Sequence, residues 1–161
     1  MRAAIITLSN SGYAGGREDK SGPAIRELAE AAGYAVVHTA LLPDGVEPLA
    51  GELRRLCDND LADLILTTGG TGFSPTDLTP EATQAVVERP TPGIAEAMRW
   101  HSLQITPRAM LSRAEAGIRK KALIVNLPGS PKAVRECLEY ILPVLDHGLE
   151  LLKGTAGNCA R

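Results

Sequence analysis

Aromatic residues are scarce in this chain: Phe, Tyr and Trp together make up 3% of its 161 residues. An interior with so few rings must be filled by Ala, Leu, Ile and Val, which suits packed helices and parallel strands. Cysteine is sparse as well. Cys57, Cys137 and Cys159 are odd in number, far apart and without a C-x-x-C pair. That argues against a disulfide framework and a zinc site, and predicts reduced thiols in a cytosol. No basic run is interleaved with aromatics and the formal net charge is -2, so neither nucleic acid nor an anionic membrane is an expected partner. Apolar stretches stay well short of the roughly 18 residues of a membrane span. Met1 to Ser9 lacks the charged, apolar and small-residue layout of an export signal. These absences predict a cytoplasmic protein whose partners are small molecules.

What is present reads as alternating strands and helices. Ala3 to Leu8 is a short β-prone apolar run, bounded by Ser9, Asn10 and Gly12, and reads as a strand buried on both faces. Ser21 reads as the cap of a helix whose apolar positions Ile25, Leu28, Ala29 and Ala32 precede Gly33. Tyr34 to Leu42 is a second strand, and Leu49, Leu53, Leu56 and Cys57 mark a second helix. Leu61 to Thr67 is a third strand. Thr79-Pro80-Glu81 offers a hydroxyl cap, a first-turn proline and an acid, opening a helix toward Val87 that Pro90 and Pro92 stop. Ile94, Ala97, Met98 and His101 suggest a further helix, while Gln104 to Arg119 has no clean period. Ala122 to Leu127 is a strand, and Pro131 to Leu152 a long helix that Pro143 should kink or divide. The expectation is one α/β domain over residues 1–153, a three-layer αβα sandwich with a mostly parallel sheet, followed by a flexible tail over 154–161.

The candidate chemistry lies in the loops after the strands. Thr67-Thr68-Gly69-Gly70-Thr71-Gly72-Phe73-Ser74-Pro75-Thr76-Asp77 follows a buried strand, where open α/β sheets bind ligands. Its glycines let backbone N–H groups turn around an oxyanion, and its threonine hydroxyls add donors. It has neither the lysine of a P-loop nor a G-x-G-x-x-G fingerprint. Pro128-Gly129-Ser130-Pro131 repeats the arrangement after another strand, with Ser130 as a helix cap. Right-handed crossovers bring Asp44 and Asp77 to the same edge, where two carboxylates suit a divalent cation beside phosphates. Arg113, after Ser112, offers a planar donor fork for an anion, and Lys20 stands in a polar lip, Asp19 to Pro23. Taken singly, each of these also fits a plain turn, a cap or a solvated surface residue. His38, His101 and His147 show no catalytic spacing.

Five segments together resemble the molybdopterin-binding domain family: Thr68 to Gly72, Asp77 to Ala82, Pro92 to Met98, Leu111 to Ala114 and Asn126 to Ala133. They occur in the family's order and cover nearly the whole chain, and the length is similar to that of the free-standing molybdopterin adenylyltransferases of the MogA and MoaB type. The resemblance implies a homotrimer and transfer of adenylate from ATP to the terminal phosphate of molybdopterin, with magnesium present and pyrophosphate released. It also implies catalytic roles for Asp44 and Asp77, with magnesium as the ion they could hold. Pterin and phosphate pockets would be lined by Thr68, Gly69, Gly70, Thr71, Gly72, Ser74, Ser112, Arg113, Pro128, Gly129 and Ser130. A molybdate-inserting enzyme would be a further contact.

The chain departs from the family twice, with Thr76 where many members have arginine and Asn10 where many have aspartate. Each change removes a charge near the expected pocket. A trimer that binds molybdopterin or a related pterin without efficient adenylyl transfer is therefore the alternative. A molybdate-inserting or pyrophosphate-hydrolysing enzyme of the same fold ranks lower, since the molybdate-inserting proteins carry extra domains.

Overall fold

The computed structural model describes residues 1–155. In chain order it runs β1 (Arg2–Leu8), α1 (Asn10–Tyr13), α2 (Ser21–Ala31), β2 (Ala35–Leu42), α3 (Val46–Asp58), β3 (Leu64–Thr68) and α4 (Thr79–Gln84). There follow β4 (Arg89–Pro90), α5 (Pro92–Leu103), a 3-10 turn (Pro107–Leu111), β5 (Ala116–Arg119), β6 (Ala122–Leu127) and α6 (Pro131–Lys153). The six strands form one sheet in the order β2-β1-β3-β6-β5-β4. Its first four strands are parallel, and β5 and β4 continue it antiparallel. The expected mostly parallel, three-layer α/β fold is what forms.

Successive residues of a strand face opposite sides of the sheet, so a fully apolar strand must feed two cores. Ala3, Ile5, Leu64 and Leu66 pack with α2, α5 and α6, whereas Ala4, Ile6 and Ile65 pack with α3 and α4. Both layers are aliphatic, as the shortage of rings requires.

Several boundaries and caps differ from expectation, each for a local reason. The third strand starts at Leu64, because the Leu61 N–H is still bonded to Leu56 O at the end of α3. Ser21 does not cap α2: Asp19 does so, its Oδ1 accepting from the Ser21 and Gly22 N–H groups at 3.0 Å each. The Ser21 hydroxyl instead donates to Gly129 O at 2.8 Å. Thr79 likewise makes no cap bond, and its hydroxyl donates to Gly69 O at 2.9 Å. Ser130 does stand at the N-cap of α6, without a side-chain cap bond. Helix α4 ends at Gln84, short of Val87.

The aperiodic stretch contains β5, which pairs with both β6 and the two-residue β4. Pro90 sits in that edge strand, a sheet position that tolerates a missing donor. Pro143 does not divide α6, which runs unbroken for 23 residues to Gly154 in the left-handed region at φ 70°. Of the expected flexible tail, Gly154 and Thr155 are bonded back to the last helical turn, and 156–161 lie outside the described residues.

Candidate active site

Four parallel strands end on one edge, and the loops after β1, β2, β3 and β6 meet there. They meet at glycines because nothing larger fits. Gly69 has φ 94°, and a Cβ on it would lie 2.3 Å from Leu8 O at the end of β1. Gly70 has φ 64°, and a Cβ there would lie 2.4 Å from the Thr79 hydroxyl and 3.6 Å from Asp44 Oδ1. A Cβ on Gly129 would stand 3.3 Å from Gly69 Cα, so the two glycine-bearing loops touch backbone to backbone. The Thr68 hydroxyl donates to Pro128 O at 2.6 Å and fastens them together.

Asp44 and Asp77 both border the glycine loop, Asp44 beside Gly70 and Asp77 beside Gly72. Each uses one oxygen to order the backbone. Asp44 Oδ2 accepts from the Asn10 N–H at 3.0 Å, while the Asp44 N–H donates to Asn10 Oδ1 at 3.0 Å. Asp77 Oδ2 accepts from the Ser74 N–H at 2.8 Å. In each case Oδ1 has no hydrogen-bond partner among the described residues. Asn10 thus forms a reciprocal pair with Asp44, where an aspartate would oppose like charges. The hydroxyl of Thr76, the other departure, lies 3.1 Å from that of Ser74.

Two cavities flank the touching loops. The larger, 660 Å³, is bordered by Thr68, Gly69, Gly129 and Ser130 and by the charged run Arg17, Glu18, Asp19 and Lys20. The smaller, 290 Å³, lies under the loop between α5, the 3-10 turn and α6, with Thr71, Gly72, Ser112 and Pro128 at its mouth. The expected binding residues are therefore divided between two spaces. Gly70, Ser74, Asp44, Asp77 and Arg113 border neither and stand around the loop itself.

Arg113 is turned inward. Its Nε donates to Gly72 O at 2.8 Å, its Nη2 to Asp77 O, and its Nη1 pairs with Glu81. The hydrogen bond from Arg113 holds the Glu81 carboxyl below its usual range.

Three residues shape this edge without having been given a site role from sequence: Asp19, placed only in a polar lip, Glu81, placed only as a first-turn acid, and Asn126. Asn126 Nδ2 donates to the hydroxyls of Thr67 and Thr83 at 2.9 Å each, and its Oδ1 accepts from the Glu115 N–H at 3.2 Å. All three side chains of that network are fully buried. An asparagine inside an otherwise apolar strand was the available signal, since a buried amide requires partners.

Fold and site together define an α/β domain whose glycine-rich loops and two carboxylates gather at the carboxyl edge of a parallel sheet. A family model described as probable molybdopterin binding domain matches residues 4–147, and the chain belongs to that family. The molybdopterin adenylyltransferase of Helicobacter pylori J99 is 41% identical over 154 residues, covering 93% of this chain and 86% of that protein. That of Escherichia coli K12 is 42% identical over 143 residues, covering 88% and 73%. Among solved structures, the molybdopterin biosynthesis enzyme MoaB of Thermus thermophilus superposes with a TM-score of 0.90 at 48% identity, covering 95% of this chain and 96% of that one.

Proposed function

We propose that this chain is a molybdopterin adenylyltransferase of molybdenum cofactor biosynthesis. In the reaction, an oxygen of the molybdopterin terminal phosphate attacks the α-phosphorus of ATP. A new P–O bond forms, the bond to the β-phosphate breaks, and pyrophosphate leaves. The observation that carries this reading is the placement of Asp44 and Asp77 against one glycine loop with a cavity on either side, in a chain whose relatives bear that name.

The protein's contribution is positioning and charge neutralisation. Backbone N–H groups at the contact of the two loops orient phosphate oxygens, and Arg17 and Lys20 supply positive charge at the rim of the larger cavity. Among the described residues no cage of three or more His, Cys, Asp or Glu side chains gathers for a metal. Two carboxylates, each with an oxygen to spare, nevertheless suit magnesium, which is commonly held by one or two carboxylates, waters and substrate phosphates. Asp44 and Asp77 would hold it, and it would screen the phosphates that must approach one another.

The reading includes a homotrimer in the cytoplasm that passes its product to a molybdate-inserting enzyme. Trp100 and Leu103 on α5, Met110 in the 3-10 turn, and Tyr140 and Val144 on α6 are all exposed, and the Trp100 and Tyr140 ring centroids lie 6.5 Å apart. An apolar face of this kind supports self-association. No helix among the described residues is long and apolar enough to cross a membrane.

Pyrophosphate release tests the function. It should require ATP, molybdopterin and magnesium together and stop when EDTA is added. Release that is independent of molybdopterin would point to a nucleotide hydrolase instead.

A further inference from the structure

Arg113 touches the glycine loop at more points than any role as a free phosphate ligand requires. Its backbone N–H donates to Thr71 O at 3.0 Å. Its side chain reaches Gly72 O at 2.8 Å and Asp77 O, so the residue grips both ends of the segment from Gly72 to Asp77. Glu81, in the first turn of α4, holds the fork from behind, with Nη1 on one carboxylate oxygen and Nη2 3.4 Å from the other. A guanidinium has five donors in a rigid plane. Four of the N–H···O directions here point at protein acceptors, and turning the fork toward a substrate would break its pair with Glu81.

The segment it grips has little else to hold it. Asp77 N–H donates to Ser74 O at 2.9 Å, and Asp77 Oδ2 accepts from Ser74 N–H at 2.8 Å. Phe73, at the tip, is 70% exposed. Without a brace from outside, this turn and the carboxylate within it would sample other positions.

We propose that Arg113 is a positioning residue, which with Glu81 fixes Asp77 beside Gly72 for adenylyl transfer and does not itself ligate substrate phosphate. The proposal rests on the adenylyl-transfer reading for its kinetic consequence, but its structural half can be measured without turnover. Arg113 and Glu81 are about one-third and two-fifths exposed. Solvent therefore screens their attraction, and the pair contributes geometry more than stability.

The decisive variant is Glu81→Gln, because Glu81 orients Arg113 from the side of α4. If Arg113 positions Asp77, Glu81→Gln and Arg113→Lys should each lower kcat about 10- to 100-fold, with KM for ATP and for molybdopterin within about threefold of wild type. The double variant should be no worse than Arg113→Lys, since both changes break one device. In hydrogen exchange of the folded proteins, the Ser74 and Asp77 amides should exchange at least about tenfold faster in either variant while β1 amides are unchanged. Glu81→Gln with wild-type turnover, alongside an Arg113→Lys variant whose KM rises tenfold, would make Arg113 a phosphate ligand and overturn the proposal. Unchanged exchange at Ser74 and Asp77 would overturn it as well. A wild-type protein that makes no adenylylated pterin would refute the adenylyl-transfer reading, and the exchange measurement would still decide whether Arg113 orders the loop.

Discussion

Asp63 closes the sheet at the end opposite the site, where its side chain is 2% exposed and meets the start of β1 and the last turn of α6. Arg2 donates to it from its backbone at 2.7 Å and from its guanidinium at 2.7 Å, and Lys153 Nζ does so at 2.9 Å. Burial alone would raise the pKa of this carboxyl, but the Arg2 and Lys153 hydrogen bonds outweigh it and hold the group well below the usual carboxylate range. A carboxyl depressed in the folded state stabilises the fold above its unfolded pKa of about 3.9, and that contribution is lost as pH falls toward the folded value. Asp63→Asn should therefore lower stability at pH 7 by roughly 2–3 kcal/mol, since it leaves Arg2 and Lys153 without their shared partner. Urea midpoints against pH should show the gap between wild type and variant shrinking below about pH 4. A gap that stays constant down to pH 2 would show that the charge of Asp63 is not what stabilises.

At the same scale, the residue types of the site were legible and their bonding partners were not. Glycines 69 and 70 could be picked out because only glycine serves where φ is positive and backbones touch. Ser21 and Thr79 looked like caps because hydroxyls before helices commonly are, yet both hydroxyls are drawn to carbonyls of the glycine loops. Long-range partners of that kind are set by how strands are ordered in the sheet, which local spacing does not reveal.

Strands β3 and β6 and helix α4 are joined beneath the site by Asn126. Asn126→Ala would leave the Thr67 and Thr83 hydroxyls and the Glu115 N–H without this partner in a fully buried place. Each stranded group costs about 1–3 kcal/mol, so a loss of roughly 3 kcal/mol or more is expected, read as a lower denaturant midpoint. Because Thr67 leads into the glycine loop, activity should fall in the variant even where it remains folded. A variant as stable as wild type would mean that the network is not formed in solution.

The elements most easily read were those with one strong period or one unbroken apolar run: β1, β3, β6, α2, α3 and α6. Those missed are short or lie at the antiparallel edge. β4 has two residues, and β5, Ala-Gly-Ile-Arg, lacks the alternation that marks a strand. Gly117 stands there because a Cβ would come within 2.4 Å of Val87, a tertiary constraint invisible in a four-residue window. Pro143 misleads for the opposite reason. Its local cost is real, but α6 buries Leu138, Ile141, Leu142 and Leu145 around it, and that packing keeps the helix whole.

Taken whole, the molecule separates its tasks by position. One end of the sheet is clamped by Asp63, the other carries the glycine-rich loops, and α5 and α6 expose the apolar face proposed to seat a neighbouring copy. Val144 is 67% exposed on that face, so Val144→Asp should leave the monomer fold intact while shifting sedimentation from trimer to monomer. A wild-type chain that sediments as a monomer at all concentrations would remove the assembly from the account.

Asp77, held beside Gly72, is proposed to take part in moving adenylate from ATP to molybdopterin. Mass analysis of the pterin after incubation with ATP and magnesium tests it most directly, for wild type and Asp77→Asn side by side. Wild type should yield adenylylated molybdopterin with one pyrophosphate per pterin, and Asp77→Asn should yield bound but unmodified molybdopterin. Equal adenylylation by the two proteins, or binding without product in both, would contradict the claim.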